Sequence, residues 1–475
     1  MKYDTIIIGG GLGGLTAGAK LSKSEKKVLL IEQHSIPGGC ATTFKRKDFT
    51  MEVGLHEMDG LHKKDMKSKI FRDLKVFDNV EFLKVPEFYR FLNNRKDIVI
   101  PHDPDKAIEI LIKNFPNEEK GINAYFEQIL SKPKSNDSEL TVGEFLDSII
   151  KGEDLKLVLL GNLGYFHDDP YSLSLNYYSV AQGSYFGGGG GNFIKGGSQQ
   201  LSNYLSDFIE SNDGKVIFNH TATEIITENN KAVGVVYQNN KTKEFTKVYA
   251  DDIIVNAAIP NVAKMLLPKE EGNKLSQEIE SKTIGASLLT VYFGFKKPLK
   301  DIGNKYYSTF IYDDSVKSQK DILTNNKSDF TTRSFTFVDY SQINSALAPK
   351  GKSVGALCCI DYTSDWEHLE KEEYKEKKEE VAQIFIYRLE KIIPGIKNAI
   401  EYYEVGTALT VKKYTLNPDG AVYGFAQTTE NVNAKKIESI DNLHFASAWT
   451  KTGGGFSGAI FSGYLCAFDI LRNRR

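Results

Sequence analysis

Three glycines near the start of the chain have a spacing that brings backbone close to a phosphate. Gly9, Gly11 and Gly14 form the pattern G-x-G-x-x-G directly after the apolar run Ile6–Ile8. The first glycine of this pattern allows a tight turn, the second admits a pyrophosphate, and the third lets a helix pack closely on a strand. The start of that helix also offers free N–H groups and the positive end of its dipole. The pattern therefore predicts a dinucleotide site between a buried strand and a helix.

A carboxylate stands where such a site needs an acceptor for the ribose. Val28–Ile31 predicts a second buried strand, and Glu32 follows it directly. In this fold an acid at the end of the second strand accepts hydrogen bonds from ribose hydroxyls, which favours FAD or NAD over NADP. These residues alone leave the choice between FAD and NAD open.

Two further glycine-rich segments could reach the same ligand. Gly38 and Gly39 follow the second strand and let backbone pass near a cofactor, although a simple turn explains them equally well. Near the C-terminus, the predicted strand Leu443–Trp449 is followed by Gly453–Gly455 and then by a helix predicted over Ile460–Leu471. This arrangement predicts a second helix N-terminus that faces the ligand.

A single histidine is the candidate for acid–base chemistry. Phe49–His56 alternates like a strand that runs towards the same site, and Glu57 and Asp59 follow it. His56 has two interpretations, a structural histidine with satisfied hydrogen bonds or a group that exchanges protons near neutral pH. The residues themselves do not decide between these two interpretations.

Composition excludes several classes of protein. The chain has 475 residues, which is too many for one ordinary core and predicts two domains. Its apolar content of 41% is typical of a globular protein. A formal net charge of −2 gives no reason to expect nucleic acid as a partner. Cys40, Cys358, Cys359 and Cys466 have no metal-binding spacing, so we expect a reduced, cytoplasmic protein. No apolar run is long enough to cross a bilayer, and the first strand leaves no room for a signal peptide.

The middle of the chain predicts two inserts, residues 78–189 and 285–400. The first is rich in tyrosine and phenylalanine, which suits a core or an apolar tunnel. The second contains an amphipathic helix predicted over Lys371–Ile392. Between the inserts lies a small antiparallel meander, and Thr246–Ala250 and Asp252–Ala258 are predicted as separate strands.

A basic stretch outside the inserts suggests a contact with lipid. Over His62–Phe77, lysines and an arginine alternate with Met66, Ile70, Leu74 and Phe77, which would share one face of a helix. A basic amphipathic helix of this kind can lie on an anionic membrane surface, which would make the protein peripheral to the membrane. An ordinary helix with a solvated face and a core face is the alternative interpretation.

These motifs, taken in order along the whole chain, resemble the FAD-dependent family of carotenoid desaturases, carotenoid isomerases and retinol saturases. Gly9–Glu32, Pro37–Phe44 and Gly54–His56 are most similar to the retinol saturase branch, and Gly406–Gly424 to the isomerase and saturase pattern. The glycine loop Gly453–Gly455 before the last helix also matches the family pattern.

Three positions depart from the family pattern. Cys40 stands where the desaturases usually have arginine, and Ala408 replaces a usual proline. Ser447-Ala448-Trp449 stands where the family normally places an acid that holds the ribityl chain of FAD. Ser447 or backbone would have to replace that contact. The resemblance therefore gives these cofactor-binding residues: Gly9, Gly11, Gly14, Glu32, Gly38, Gly39, Ser447, Gly454 and Gly455.

The resemblance implies an α/β fold in which a Rossmann-like FAD-binding domain carries a discontinuous α+β substrate domain. Residues 1–77, 190–284 and 401–475 would form the FAD-binding domain, and the two inserts would form the substrate domain. The flavin ring would lie at their interface, next to His56.

The implied chemistry is hydride transfer between flavin N5 and a C–C or C=C unit of a hydrophobic polyene or isoprenoid lipid. Saturation, isomerisation and desaturation share this scaffold. The pairing of Cys40 with His56 resembles the saturase branch and favours C=C reduction or isomerisation. The substrate and the external electron donor or acceptor remain open.

Two other functions share these features. A flavin amine oxidase would present a lysine close to the flavin, and Lys412 and Lys413 are candidates because they lie near the Gly406 motif. A non-catalytic FAD-dependent lipid-binding protein would be consistent with Trp449 in place of the usual acid. There is no second dinucleotide pattern that would support a dedicated NAD(P)H site.

Overall fold

The computed structural model describes residues 2–131, 139–433 and 437–473. The strands within these ranges are, in chain order, β1 (Lys2–Ile8), β2 (Val28–Ile31), β3 (Thr43–Arg46), β4 (Phe49–Glu52), β5 (Phe82–Lys84), β6 (Tyr89–Leu92), β7 (Asp97–Ile100), β8 (Asn192–Ile194), β9 (Lys215–Ile217), β10 (His220–Glu228), β11 (Lys231–Asn239), β12 (Phe245–Val255), β13 (Ser287–Phe295), β14 (Ser308–Ile311), β15 (Phe335–Asp339), β16 (Ser353–Asp361), β17 (Ile400–Gly406) and β18 (Leu443–Phe445).

The helices of the described residues are α1 (Leu12–Lys23), α2 (Met66–Asp73), α3 (Pro104–Asn114), α4 (Glu119–Leu130), α5 (Val142–Ile149), α6 (Glu153–Leu159), α7 (Leu175–Phe186), α8 (Gln199–Glu210), α9 (Ile259–Asn261), α10 (Lys269–Glu278), α11 (Ile322–Asn326), α12 (Lys371–Ile392), α13 (Ile396–Ala399), α14 (Ala408–Thr415), α15 (Thr429–Asn433) and α16 (Gly455–Asn473). Helix α12 has the bounds that its amphipathic pattern predicts.

The first sheet has the strand order β10-β11-β12-β1-β2-β9, with β18 paired to β12. Strands β9, β2, β1, β12 and β18 are parallel, and the apolar runs Ile6–Ile8, Val28–Ile31 and Ile253–Val255 are buried, as helix-covered parallel strands require. A Cβ on Gly14 would overlap the Gly9 carbonyl, and one on Gly18 would lie 2.7 Å from Ile209 of α8. Glycines therefore let α1 lie close to both β1 and α8, which confirms the predicted Rossmann-like α/β architecture.

Strand β12 corrects one detail of the sequence interpretation. The two strands predicted over Thr246–Ala250 and Asp252–Ala258 are one strand, which pairs antiparallel with β11 at one end and parallel with β1 at the other. The charged pair Asp251 and Asp252 interrupts the apolar pattern without ending the strand, because each carboxylate has a side-chain partner. Lys2 Nζ lies 2.7 Å from Asp251, and His444 Nε2 lies 2.9 Å from Asp252.

The second sheet combines strands from both inserts in the order β17-β13-β16-β15-β14-β6-β7. Helix α12 covers one face, where Phe385 packs in a cluster with Leu289 and Phe337. Strand β17 belongs to this sheet, because Thr290 of β13 pairs with Gly406. The predicted domain boundary at residue 401 therefore falls inside a strand of the second sheet.

Helix α2 is shorter than the amphipathic stretch from which it was predicted. It ends at Asp73 because Lys75 adopts a left-handed conformation with φ of 54°, so Phe77 does not share its face. Ile70, Phe71 and Leu74 are buried in the core. The alternative of an ordinary core-facing helix therefore describes α2. Among the described residues, no helix is both long and apolar enough to cross a membrane.

Candidate cofactor and substrate site

A cavity of about 1420 Å³ lies where the first sheet meets the second sheet and the helices around it. The carboxyl ends of the parallel strands open onto it, and they contribute Gly9, Glu32, Asn256 and Ser447. Ligands of open α/β sheets bind outside these carboxyl ends. The predicted residues that line the cavity are Gly9, Gly11, Glu32, Gly38, Gly39, His56, Ser447, Gly454 and Gly455.

The start of α1 forms an anion cradle at this edge. Gly11 precedes the helix, and neither a capping side chain nor an acidic residue of the first turn occupies its N–H groups. A Cβ on Gly11 would come within 2.7 Å of Asn256 Nδ2, and one on Gly9 would come within 2.8 Å of Asn256 O. Gly14 lies outside the cavity and serves the packing of α1 on β1. The glycines therefore fit the three roles that their spacing predicts for a pyrophosphate.

The Glu32 carboxylate is held in place by backbone. Its Oε2 accepts a hydrogen bond from Gly10 N at 2.6 Å, and its Oε1 accepts one from His34 N at 2.7 Å. Each carboxylate oxygen can accept a further bond, so a fixed acceptor faces the cavity at the end of β2. This arrangement fits the ribose of a dinucleotide.

The second glycine turn touches the first. Gly38 N donates to Gly10 O at 2.7 Å, and a Cβ on Gly39 would lie 3.4 Å from the Gly11 Cα. Gly38 has φ of 127° and Gly39 has φ of 59°, a region where side chains are strained. The turn is therefore a wall of the cradle as well as a change of chain direction.

Helix α16 brings a second N-terminus to the cavity. It begins at Gly455, earlier than the start predicted at Ile460, and Gly454 and Gly455 line the cavity. A Cβ on Gly463 would overlap the Gly13 carbonyl, and one on Gly13 would overlap the Ala446 carbonyl. Backbone-to-backbone contact therefore joins α1, α16 and the end of β18.

No carboxylate stands at the Ser447-Ala448-Trp449 position. Ser447 Oγ accepts a hydrogen bond from Trp449 N at 3.2 Å, which leaves the hydroxyl proton to donate elsewhere. Trp449 packs edge-to-face on Phe425 with ring centroids 4.9 Å apart. The serine hydroxyl, and not an acid, therefore faces the cavity at this position.

A buried ion pair supports the start of α16, and the sequence analysis missed it. The Lys67 side chain is 0% exposed, its Nζ lies 3.1 Å from Asp59 Oδ2, and it donates to Ser457 Oγ at 2.6 Å. Ser457 in turn donates to Asp59. Burial alone would raise the pKa of Asp59, but Lys67 and the Ser457 hydroxyl hold that pKa below its ordinary value. The signal was present, because Lys67 has the helical spacing of the buried residues Ile70 and Phe71.

His56 lies in the cavity wall, where two tyrosine hydroxyls contact its ring and its backbone. Its Nδ1 is 3.3 Å from the Tyr165 hydroxyl, and its backbone oxygen accepts from the Tyr307 hydroxyl at 2.5 Å. Glu52 fixes the segment before it by accepting from Leu55 N at 3.0 Å. Burial lowers the pKa of His56 to about 4, so the imidazole is neutral at physiological pH.

The wall that the two inserts contribute is uncharged and mostly aromatic or apolar. In the described parts of residues 78–189 and 285–400, no lining residue carries a formal charge. The cavity exceeds the roughly 300–1,000 Å³ of a pocket for one drug-sized ligand, so it has room for a dinucleotide and a second molecule. The aromatic lining residues of the inserts are Tyr165, Phe166, Tyr177, Tyr185, Tyr292, Phe310, Tyr312 and Phe335.

The lysines proposed for an amine oxidase do not reach this cavity. Lys412 and Lys413 are exposed on α14 and are not among the described residues that line it.

We predict that Gly11→Val prevents FAD binding, because the valine side chain would fill the approach to the start of α1. The purified variant should be folded by circular dichroism yet lack flavin absorbance after reconstitution. Gly164→Val is the matched control. It lies in the same cavity wall, nothing lies within 4 Å of its added Cβ, and it should keep its flavin. Full yellow absorbance in Gly11→Val would contradict the assignment.

We predict that Lys67→Met lowers the free energy of unfolding at pH 7 by about 3–5 kcal/mol, because it leaves the mostly buried Asp59 carboxylate without its Lys67 partner. The exposed lysine of the same helix provides the control, and Lys69→Met should change stability by less than about 0.5 kcal/mol. Urea unfolding measures both. The difference in free energy of unfolding between the parent and Lys67→Met should become smaller as the pH falls through the lowered pKa of Asp59, because the parent then loses the same ion pair. Equal stabilities of the two variants at pH 7 would show that the pair contributes little.

Comparison with known proteins agrees with this geometry. The model of the flavin-containing amine oxidoreductase family matches residues 12–471. The prolycopene isomerase of Arabidopsis thaliana chloroplasts is 28% identical over 517 residues, which cover 98% of this chain and 82% of that protein. The all-trans-retinol 13,14-reductase of Danio rerio is 25% identical over 532 residues, covering 98% and 86%. These matches confirm the resemblance to carotenoid isomerases and retinol saturases.

The fold has a counterpart among solved structures. An oxidoreductase from Methanosarcina mazei has a TM-score of 0.70 and 17% identity, with 99% of this chain and 100% of that chain covered. The family model spans nearly the whole described chain and includes the start of α1, most residues that line the cavity and nearly all of α16. The chain therefore belongs to the flavin-containing amine oxidoreductase family and is an FAD-dependent oxidoreductase.

Proposed function

We propose that this oxidoreductase acts on C–C or C=C bonds of a polyene or isoprenoid lipid, with a carotenoid- or retinoid-like substrate. One observation carries the proposal. The uncharged, largely aromatic wall of the inserts lines the same cavity as the glycine cradle and Glu32. The relatives support it, since one is named for the isomerisation of prolycopene and another for the reduction of retinol.

The residues of the chain bind, orient and dehydrate the reacting groups. Gly9, Gly11 and Glu32 would hold the adenosine and pyrophosphate, and Gly38, Gly39, Ser447, Gly454 and Gly455 would surround the rest of the FAD. FAD, when bound, supplies hydride transfer. The aromatic wall would bind a long apolar substrate through the hydrophobic effect and exclude water from the reaction.

The proposed reaction is saturation or isomerisation, and desaturation shares the same scaffold. His56 lies in the cavity wall, where a neutral imidazole could take a proton but is a poor proton donor. Its partner Tyr165 belongs to the aromatic wall, so the histidine is next to the space we assign to the substrate.

An anaerobic reaction with candidate substrates tests the proposed function. FAD-loaded protein is mixed, in its oxidised and its dithionite-reduced forms, with a panel of carotenoids, retinoids, amines and nicotinamides, and flavin absorbance and products are followed. Conversion of a polyene supports the proposal. Reduction of the flavin by amines would instead support an amine oxidase. Flavin that no member of the panel reduces or reoxidises, with no product formed, would support a non-catalytic lipid-binding protein.

We predict that His56→Ala retains FAD and fold but loses at least about a hundredfold in turnover of a polyene that the parent converts. Parent activity that depends on the neutral imidazole should fall only as the pH drops towards about 4. Turnover of His56→Ala within a few-fold of the parent would assign His56 a packing role.

We propose in addition that the cavity mouth contacts an anionic membrane. Met66 and Val180 line the cavity and are 46% and 56% exposed, and the exposed His62, Lys63 and Lys64 lie next to Met66 in the chain. A lipid substrate could enter between such apolar and basic side chains.

We expect the parent to float with anionic vesicles at low salt, because each basic residue near the surface contributes about 1 kcal/mol. The double substitution Lys63→Glu and Lys64→Glu should reduce flotation, and neutral vesicles should bind neither protein. A parent that stays entirely in the soluble fraction with anionic vesicles would exclude this contact.

A further inference from the structure

One buried acid in the cavity wall lacks any hydrogen-bond partner. Glu57 is 8% exposed, lines the cavity, and neither of its carboxyl oxygens has a hydrogen-bond partner among the described residues. Other deeply buried acids accept hydrogen bonds from neighbouring groups. Glu52 accepts hydrogen bonds from Ser198 at 2.7 and 2.8 Å, and Asp361 accepts one from Trp366 Nε1 at 2.9 Å. A buried polar group without partners costs free energy, so its presence at a reactive site calls for a function.

The surroundings of Glu57 favour the protonated form of its carboxyl group. Burial raises its pKa well above the ordinary value, the acids Glu87 and Asp59 raise it further, and Lys84 opposes them with a smaller effect. A carboxylic acid that stays neutral at physiological pH is a hydrogen-bond and proton donor. The other titratable groups around it are His102, Tyr165, Tyr185 and Tyr307.

A glycine makes room for this carboxyl group. A Cβ on Gly191 would overlap Glu57 Oε2 and would lie 3.0 Å from His102 Cε1, so both side chains converge on Gly191. The backbone N–H of Gly191 points to the His102 ring, with a distance of 3.2 Å to Nδ1. Any larger residue at position 191 would push the Glu57 carboxyl away from its present place.

We propose that Glu57 is a catalytic residue, the proton donor to a C=C bond of the substrate, which rests on the proposed function of this same cavity. In saturation, the π electron pair forms a C–H bond with the proton of the Glu57 carboxyl on one carbon. FAD, when bound in its reduced form, would supply the hydride for the neighbouring carbon, which balances the conversion of the C=C bond to C–C. Glu57 is left as a carboxylate and regains its proton from water.

The same donor serves isomerisation without net redox change. The proton adds to one carbon of the polyene, the neighbouring bond loses its double-bond character and rotates, and the proton returns from that carbon to Glu57. In both reactions the carboxyl group must be protonated before the substrate reacts. Glu57 therefore directs the site towards proton addition and away from desaturation.

The first test is single turnover. Dithionite-reduced, FAD-loaded protein is mixed with a polyene that the parent converts, and product is quenched over time. Glu57→Gln retains the shape of the side chain and should slow the reaction at least about a hundredfold while flavin content and polyene affinity stay unchanged. Asp361→Asn is the control, since Asp361 is also a buried acid with a raised pKa but neither lines the cavity nor acts on the pKa of Glu57. It should react within a few-fold of the parent.

A second variant tests the role of the Glu57 carboxyl without changing Glu57 itself. Gly191→Ala retains Glu57 but displaces its carboxyl group, and it should slow the same step while it retains FAD. Normal single turnover in both Glu57→Gln and Gly191→Ala would overturn the proposal.

The protonation state is measured without turnover. In the infrared difference spectrum between the parent and Glu57→Gln, both substrate-free at neutral pH, we expect a carboxylic-acid C=O band that shifts in D₂O. A carboxylate band in its place would show that Glu57 is ionised and would overturn the proposal. If the proposed function is wrong, the parent itself converts no polyene of the panel. That result is distinct from failure of the Glu57 proposal, in which the parent converts a polyene and the two variants do so at the same rate.

Discussion

The closeness of two helix starts is the constraint on which the site depends. Helices α1 and α16 meet through backbone, because a side chain on Gly13 or on Gly463 would overlap a carbonyl of the neighbouring segment. Gly14 brings α1 equally close to β1. This packing places two helix N-termini at the carboxyl edge of one parallel sheet, where both can face an anionic cofactor. The apolar wall of the inserts then closes the other side of the same cavity.

Two acids two residues apart show how the fold assigns different roles to the same chemical group. Asp59 is held ionised by Lys67 and by a serine hydroxyl, and it supports the start of α16. Glu57 lacks such partners among the described residues and is kept neutral by burial and by neighbouring negative charge. Environments that push two pKa values apart are the usual way in which a protein separates a structural charge from an acid that can donate a proton.

The sequence predicted what depends on local spacing. The glycine pattern, Glu32 and the bounds of α12 follow from residues that are close together in the chain, and so they were accessible without the structure. The Lys67–Asp59–Ser457 cluster was not, because it joins segments almost 400 positions apart, as the contact between residues 67 and 457 shows. The free carboxyl of Glu57 was also hidden, since its state depends on Gly191 and on the burial of the surrounding aromatic residues.

We propose that one cavity holds the FAD and a polyene together. A crystal structure of the FAD-loaded protein with an unreactive polyene analogue tests it most directly. We expect the adenosine at Glu32 and the pyrophosphate at the start of α1, with the polyene along the aromatic wall of the inserts and one of its double bonds beside Glu57. A polyene bound elsewhere on the protein, or FAD that occupies the aromatic wall and leaves no room for a second molecule, would contradict it.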